Sequence, residues 1–169
     1  MKLSNKIWEI VSEYTGHVFY VPGGGAMHLV DSLADYPKLE RVSMLHEQGA
    51  AYAACMYARY TGRLGVCLVT SGPGATNAIS GCAAAWMDSY PVLFISGQAK
   101  TSTLVGDTGI RTRGNQEITI VDIVKPITKA VIQVTPQISL KEYIEVALSG
   151  RPGPVWLDVP MDVQAMEVE

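Results

Sequence analysis

The sequence predicts an α/β fold: three layers, α/β/α, around a central parallel sheet of about six strands. Three observations lead there. Segments of helical period alternate with short β-rich runs from one end of the chain to the other, as strand–helix–strand crossovers require. Two runs, residues 65–70 and 91–96, are almost wholly apolar, the pattern of strands buried on both faces. Gly- and Pro-rich turns stand at strand ends, at residues 21–25 and 70–74.

The elements follow in order. Residues 3–14 place Leu3, Ile7, Ile10, Val11 and Tyr14 on one helical face. Residues 17–21 are a β-rich run that ends at Pro22 and three glycines, a strand and a tight loop. A helix is expected over 26–33, a strand over 39–44, and an alanine-rich helix over 47–60, closed by Gly62. The small residues Gly49, Ala50, Ala51, Ala53 and Ala54 predict that this helix packs closely on a neighbour, with a partner subunit as one candidate. After the strand at 65–70 comes a helix over 75–87, then the strand at 91–96. Residues 100–115 are polar, rich in Gly and Thr, and without periodicity, and loops of that length in compact domains tend to be functional. A short helix at 118–124, a strand at 128–134, a helix at 139–149 and a strand at 154–159 complete the series. Such a chain of 169 residues is expected to be a single domain, 1–169, that stops where a domain stops.

Composition excludes several classes of function. A formal charge of −3 offers no basic field, so nucleic acid is not an expected partner. No apolar segment reaches membrane-spanning length and no signal-peptide pattern opens the chain, so no membrane partner is expected. Cys55, Cys67 and Cys82 are odd in number and lack CxxC spacing, which points to buried packing in a cytoplasmic setting and to no metal site.

Ligands of parallel sheets sit beyond the carboxyl ends of the strands, and three ends here carry unusual residues. Pro22-Gly23-Gly24-Gly25 permits a close approach of backbone, either to a ligand or in a plain turn. Glu47 follows a strand directly and is a candidate for acid–base work, with helix capping as the plainer reading. His46 beside it suits a structural hydrogen bond. The turn Thr70-Ser71-Gly72-Pro73-Gly74-Ala75-Thr76-Asn77 offers free amides for an anion, but no lysine or arginine stands near it in sequence. Walker, dinucleotide and GxSxG motifs are all absent.

Taken together, VPGGG from Val21, HEQGAAYAACMYAR from His46 and GVCLVTSGPGATNAI from Gly65 resemble the N-terminal pyrimidine-binding domain of thiamine-diphosphate-dependent enzymes of the acetolactate synthase-like family. DSYPVLFISGQ from Asp88, QEITIVDIVKPITK from Gln116 and GRPGPVWLDVPMDVQ from Gly150 continue the match in family order. The resemblance implies that Glu47 is catalytic, hydrogen-bonding the aminopyrimidine ring of thiamine diphosphate. It implies further that Pro22, Gly23, Pro73 and Asn77 bind that cofactor, and that Gly24 and Gln116 face the substrate side, where a small 2-oxo acid would stand. Asn115 replaces the aromatic usual before that glutamine. The family's diphosphate-binding domain, with a GDG motif and a downstream asparagine for magnesium, is absent, and Gly106-Asp107-Thr108-Gly109 is not that motif.

The resemblance thus implies one half of a carboligase or decarboxylase of 2-oxo acids, inactive alone. Its implied partners are a diphosphate-binding domain, in the same longer chain or as a separate subunit, and further copies in a homo-oligomer. The alternatives are the pyrimidine subunit of a two-chain enzyme such as sulfopyruvate decarboxylase, or a non-catalytic nucleotide- or phosphate-binding module.

Overall fold

A computed structural model describes residues 1–168; Glu169, the last residue of the acidic tail, lies outside the described residues. Six strands form one sheet: β1 (His17–Tyr20), β2 (Glu40–Ser43), β3 (Gly65–Val69), β4 (Val92–Gln98), β5 (Ala130–Gln133) and β6 (Val155–Pro160). Their order is β2-β1-β3-β4-β6-β5 and every pairing is parallel. The helices are α1 (Leu3–Val11), α2 (Met27–Leu33), α3 (Glu47–Thr61), α4 (Pro73–Asn77), α5 (Ile79–Asp88), α6 (Ile120–Val124), α7 (Leu140–Leu148) and α8 (Met161–Gln164).

Because side chains alternate along a strand, each central strand feeds two cores. Val66 and Leu68 of β3, with Leu93 and Ile95 of β4, join a cluster with Ile7 and Trp8 of α1, Leu29 of α2 and Ile144 of α7. Cys67 and Val69, with Phe94 and Trp156, join the opposite cluster with Ala54 of α3, Cys82 of α5 and Val124 of α6. This is the predicted three-layer α/β/α arrangement, and it explains why β3 and β4 are apolar at almost every position. Phe94 and Trp156 stack with ring centroids 5.0 Å apart.

Three local features differ from the sequence expectation. The helix expected over 75–87 is two helices. It starts at Pro73, since a proline in the first turn has no amide to satisfy, and it breaks at Ala78, whose amide bonds Ala75 three residues back. The helix α8 was not expected, because four residues carry no readable period. Helix α1 ends at Val11, three residues early, in a succession of turns. Gly62, by contrast, closes α3 as expected, in the left-handed conformation with its amide on Ala58.

The close neighbour of α3 is α5 of the same chain. A Cβ placed on Gly81 would stand 2.3 Å from the Cβ of Ala51, so glycine and alanine together set the spacing of the two helices. All three cysteines are free and buried on this side of the sheet. Gly81→Ala is expected to force the helices apart and cost about 1–3 kcal/mol, read from urea unfolding. An unchanged midpoint would show that the two helices separate freely.

Candidate functional site

The carboxyl ends of β1, β2 and β3 lie side by side in the sheet order, so their loops meet. After β1, Gly24–Ala26 makes one 3-10 turn that leads into α2. Two of the three glycines are explained by what they touch. A Cβ on Gly23 would fall 2.5 Å from the Cβ of Thr70, and one on Gly25 would fall 2.4 Å from Oγ of Ser71. Gly24 differs: a Cβ there would meet nothing within 4 Å, so its face is open. The loop is held from three sides. Gly25 donates its amide to Oγ1 of Thr70 at 3.0 Å, Nε2 of Gln164 donates to the Gly25 carbonyl at 2.7 Å, and Gly97 of β4 abuts that carbonyl closely enough to forbid any side chain.

At the end of β2, His46 is extended and caps α3, its Nδ1 accepting the Gln48 amide at 3.1 Å. The capping role thus belongs to His46. Glu47, half-buried in the first turn, is turned elsewhere: its Oε2 accepts a hydrogen bond from Nδ2 of Asn77 at 2.9 Å. A Gly74 Cβ would fall 2.7 Å from Cγ2 of Thr70 and 3.3 Å from the other Glu47 oxygen, so glycine lets the third loop close down on Thr70 beside the carboxylate. That loop turns at Gly72, whose φ of 59° favours glycine, and starts α4 at Pro73. Helix α4 is a little over one turn long, too short for much dipole, which weakens the anion-site reading of this segment.

Thr70 is the residue that sequence reasoning missed as a site member. It lies between Gly23 and Gly74, touching the virtual Cβ positions of both. A hydroxyl residue closing an apolar strand was the available signal.

A cavity of about 430 Å³ opens beside these loops, lined among others by Gly24, Gln98, Lys100, Arg113 and Gln116. The structure therefore brings Gly24 and Gln116 together, and separately pairs Glu47 with Asn77, which do not line that cavity. Gly72 connects the two regions, since a Cβ there would stand 2.4 Å from the Gln116 carbonyl oxygen. Pro22 and Pro73 are exposed beside their loops. Arg111 is exposed and stays out of the cavity.

A buried polar row runs back into the sheet from Gln98 of the cavity wall. Trp156 Nε1 donates to Oγ of Ser96 at 2.9 Å, Ser96 donates to Oδ1 of Asp158 at 2.7 Å, and Gln98 Nε2 donates to Oδ2 at 2.9 Å. Burial raises the Asp158 carboxyl from its ordinary 3.8 to about 6, although the bonds from Ser96 and Gln98 pull it down. The native state then holds a proton there that the unfolded chain releases, so stability from this site is full below the ordinary value and falls as pH rises. Asp158→Asn is expected to remove that loss. Its unfolding free energy relative to the parent should climb by up to about 3 kcal/mol as pH rises from 3.8 to about 6 and then level off. Parallel pH profiles for the two proteins would refute the assignment.

The family described as "Thiamine pyrophosphate enzyme, N-terminal TPP binding domain" matches residues 1–123. The acetolactate synthase large subunit of Corynebacterium glutamicum is 44% identical over 157 residues, covering 90% of this chain and 24% of that protein. The acetolactate synthase of Arthrospira platensis is 42% identical over 160 residues, 90% of this chain and 27% of that protein. That of Mycobacterium bovis is 46% identical over 151 residues, 86% of this chain and 23% of that protein. The chain spans about a quarter of the length of the curated relatives it matches.

Proposed function

The chain belongs to the thiamine pyrophosphate enzyme family as its N-terminal TPP binding domain, and from that premise we propose that it is the pyrimidine-binding half of an acetolactate synthase-like enzyme acting on 2-oxo acids. The reading covers carboligation and decarboxylation alike. The observation that carries it is the Asn77–Glu47 hydrogen bond at the strand ends, 2.9 Å long, under a loop that only glycine at 74 allows to close.

The residues present fit the cofactor that the family implies. Gly23 and Gly74 both pack without side chains on Thr70, which brings their loops close together, and Glu47 presents its second carboxylate oxygen beside Gly74. When bound, thiamine diphosphate supplies the nucleophilic carbon and the electron sink for 2-oxo acid chemistry, while the protein supplies position and proton traffic. Asn77 holds one oxygen of Glu47, so the other keeps a defined direction for accepting a hydrogen bond or a proton. Pro22, Gly23, Pro73 and Asn77 would hold the pyrimidine ring beside it. Gly24 is the bare position in the cavity and Gln116 lines the same cavity, which suits them to the substrate side.

On this reading a diphosphate-binding domain, in a longer chain or a second subunit, completes the site and binds magnesium. The chain alone turns over nothing. Homo-oligomeric assembly and a cytoplasmic location go with the same reading, the latter in keeping with three unpaired thiols. No helix among the described residues is long and apolar enough to cross a membrane.

In the assembled enzyme, Glu47→Gln is expected to slow exchange of the cofactor's C2 proton by about 100-fold or more, followed by proton NMR in heavy water. Exchange at the parent rate would remove Glu47 from the chemistry. Absence of cofactor binding in calorimetry, with magnesium and the diphosphate-binding partner present, would overturn the whole reading.

A further inference from the structure

The loop that carries Gln116 is held together by its neighbour in sequence. Between the 3-10 turn at Thr101–Thr103 and α6 the chain has no regular secondary structure, so no ladder of backbone bonds ties its outgoing and returning limbs. The Glu117 carboxylate does so instead. Its Oε1 accepts the amide of Val105 on the outgoing limb at 2.5 Å. Its Oε2 accepts the amides of Arg113 and Gly114 on the returning limb at 3.0 and 2.8 Å. The start of the loop is anchored separately, by Asp162 of α8, whose Oδ1 accepts the Thr101 amide at 2.9 Å.

Gln116 sits in the middle of these constraints with a φ of 51°, left-handed and unfavourable for a residue with a side chain. Such a conformation persists only where the surroundings over-determine it, and it concentrates at working sites. Here the surroundings are identifiable. Gly72 leaves room below for the Gln116 carbonyl, and Gln98 Nε2 donates to the Ile118 carbonyl, two residues along, at 2.9 Å. Glu117 closes the turn above through its own amide, which donates to the Gly114 carbonyl at 3.3 Å.

We propose that Glu117 is the positioning residue for Gln116, its carboxylate gathering three backbone amides from both limbs of the loop so that the Gln116 side chain is delivered to the cavity beside Gly24. The inference rests on the reading above for what Gln116 faces. Burial works against the Glu117 charge, but the three amides and Arg113 outweigh it and hold the carboxyl below the ordinary range, so the clamp stays ionised at neutral pH. Glutamine at 117 keeps the length and one acceptor oxygen but aims an amide N–H₂ at backbone donors, so at least one of the three bonds is lost.

The test compares Glu117→Gln, Gln116→Ala and the double variant in the full enzyme. Glu117→Gln is expected to lower kcat/KM for the 2-oxo acid by about 10- to 100-fold, as a displaced positioning group does. The double variant should be no worse than Gln116→Ala alone, because the clamp acts only through that side chain. Cofactor C2 proton exchange should stay at the parent rate, and amide hydrogen exchange at Val105, Arg113 and Gly114 should quicken by about tenfold or more. Glu117→Asp keeps the charge one methylene short; it is expected to recover part of kcat/KM and carries the same comparison if the glutamine variant does not fold. Parent kinetics in Glu117→Gln beside a damaged Gln116→Ala would overturn the proposal alone, as would losses that multiply in the double variant. Parent kinetics in Gln116→Ala would overturn it through its premise, while intact C2 exchange would leave the wider reading of the chain standing.

Discussion

Thr70, at the end of β3, makes the contact on which the site's geometry depends. Its hydroxyl accepts the Gly25 amide, and the same small side chain fills the space left by the missing Cβ atoms of Gly23 and Gly74. The loops after β1 and β3 are thereby packed on one β-branched residue, whose χ1 is stiff and whose polar and apolar branches are each used. Remove the wedge and nothing sets the height of the loop after β3 over Glu47. The Asn77–Glu47 bond depends on that height, since Asn77 rides on α4, which begins where this loop ends.

The sheet beneath supplies rigidity through burial on both faces, and the exception to its apolar character is informative. Ser96, Gln98 and Asp158 form a polar row that continues the Phe94–Trp156 stack toward the strand ends. A carboxyl so deeply buried is costly unless its oxygens are bonded, and here both are. What the row returns is reach. Gln98 donates from Asp158 on one side to the Ile118 carbonyl on the other, linking the core to the loop that carries Gln116.

Much of the fold was legible because it is written in local periodicity. Every expected strand is present within a residue or two, and Gly62 and the glycine loop stand where turn chemistry puts them. The miss at Ala78 came from treating a continuous run of small residues as one helix, when propensity alone cannot see a tightened turn. The site was legible as positions and not as a geometry. His46 reads as a hydrogen bonder and is one, but that it takes the cap and so frees Glu47 is apparent only from side-chain directions. Thr70 and Glu117 stand inside quoted motifs but were assigned no role, because they act on backbone amides, as far as 45 and 12 residues away, which leave no mark on residue type.

The sequence by itself determined the order of strands and helices, the two-sided burial of β3 and β4, and which strand ends carry unusual residues, because periodicity and turn chemistry act over a few residues. Only the tertiary structure decided which of those ends meet. Glu47 finds Asn77 thirty residues on because the strand order β2-β1-β3 places their loops side by side. Gly24 finds Gln116 because the long loop is folded back by a single carboxylate. Both bring together segments distant in sequence, and no local pattern encodes them.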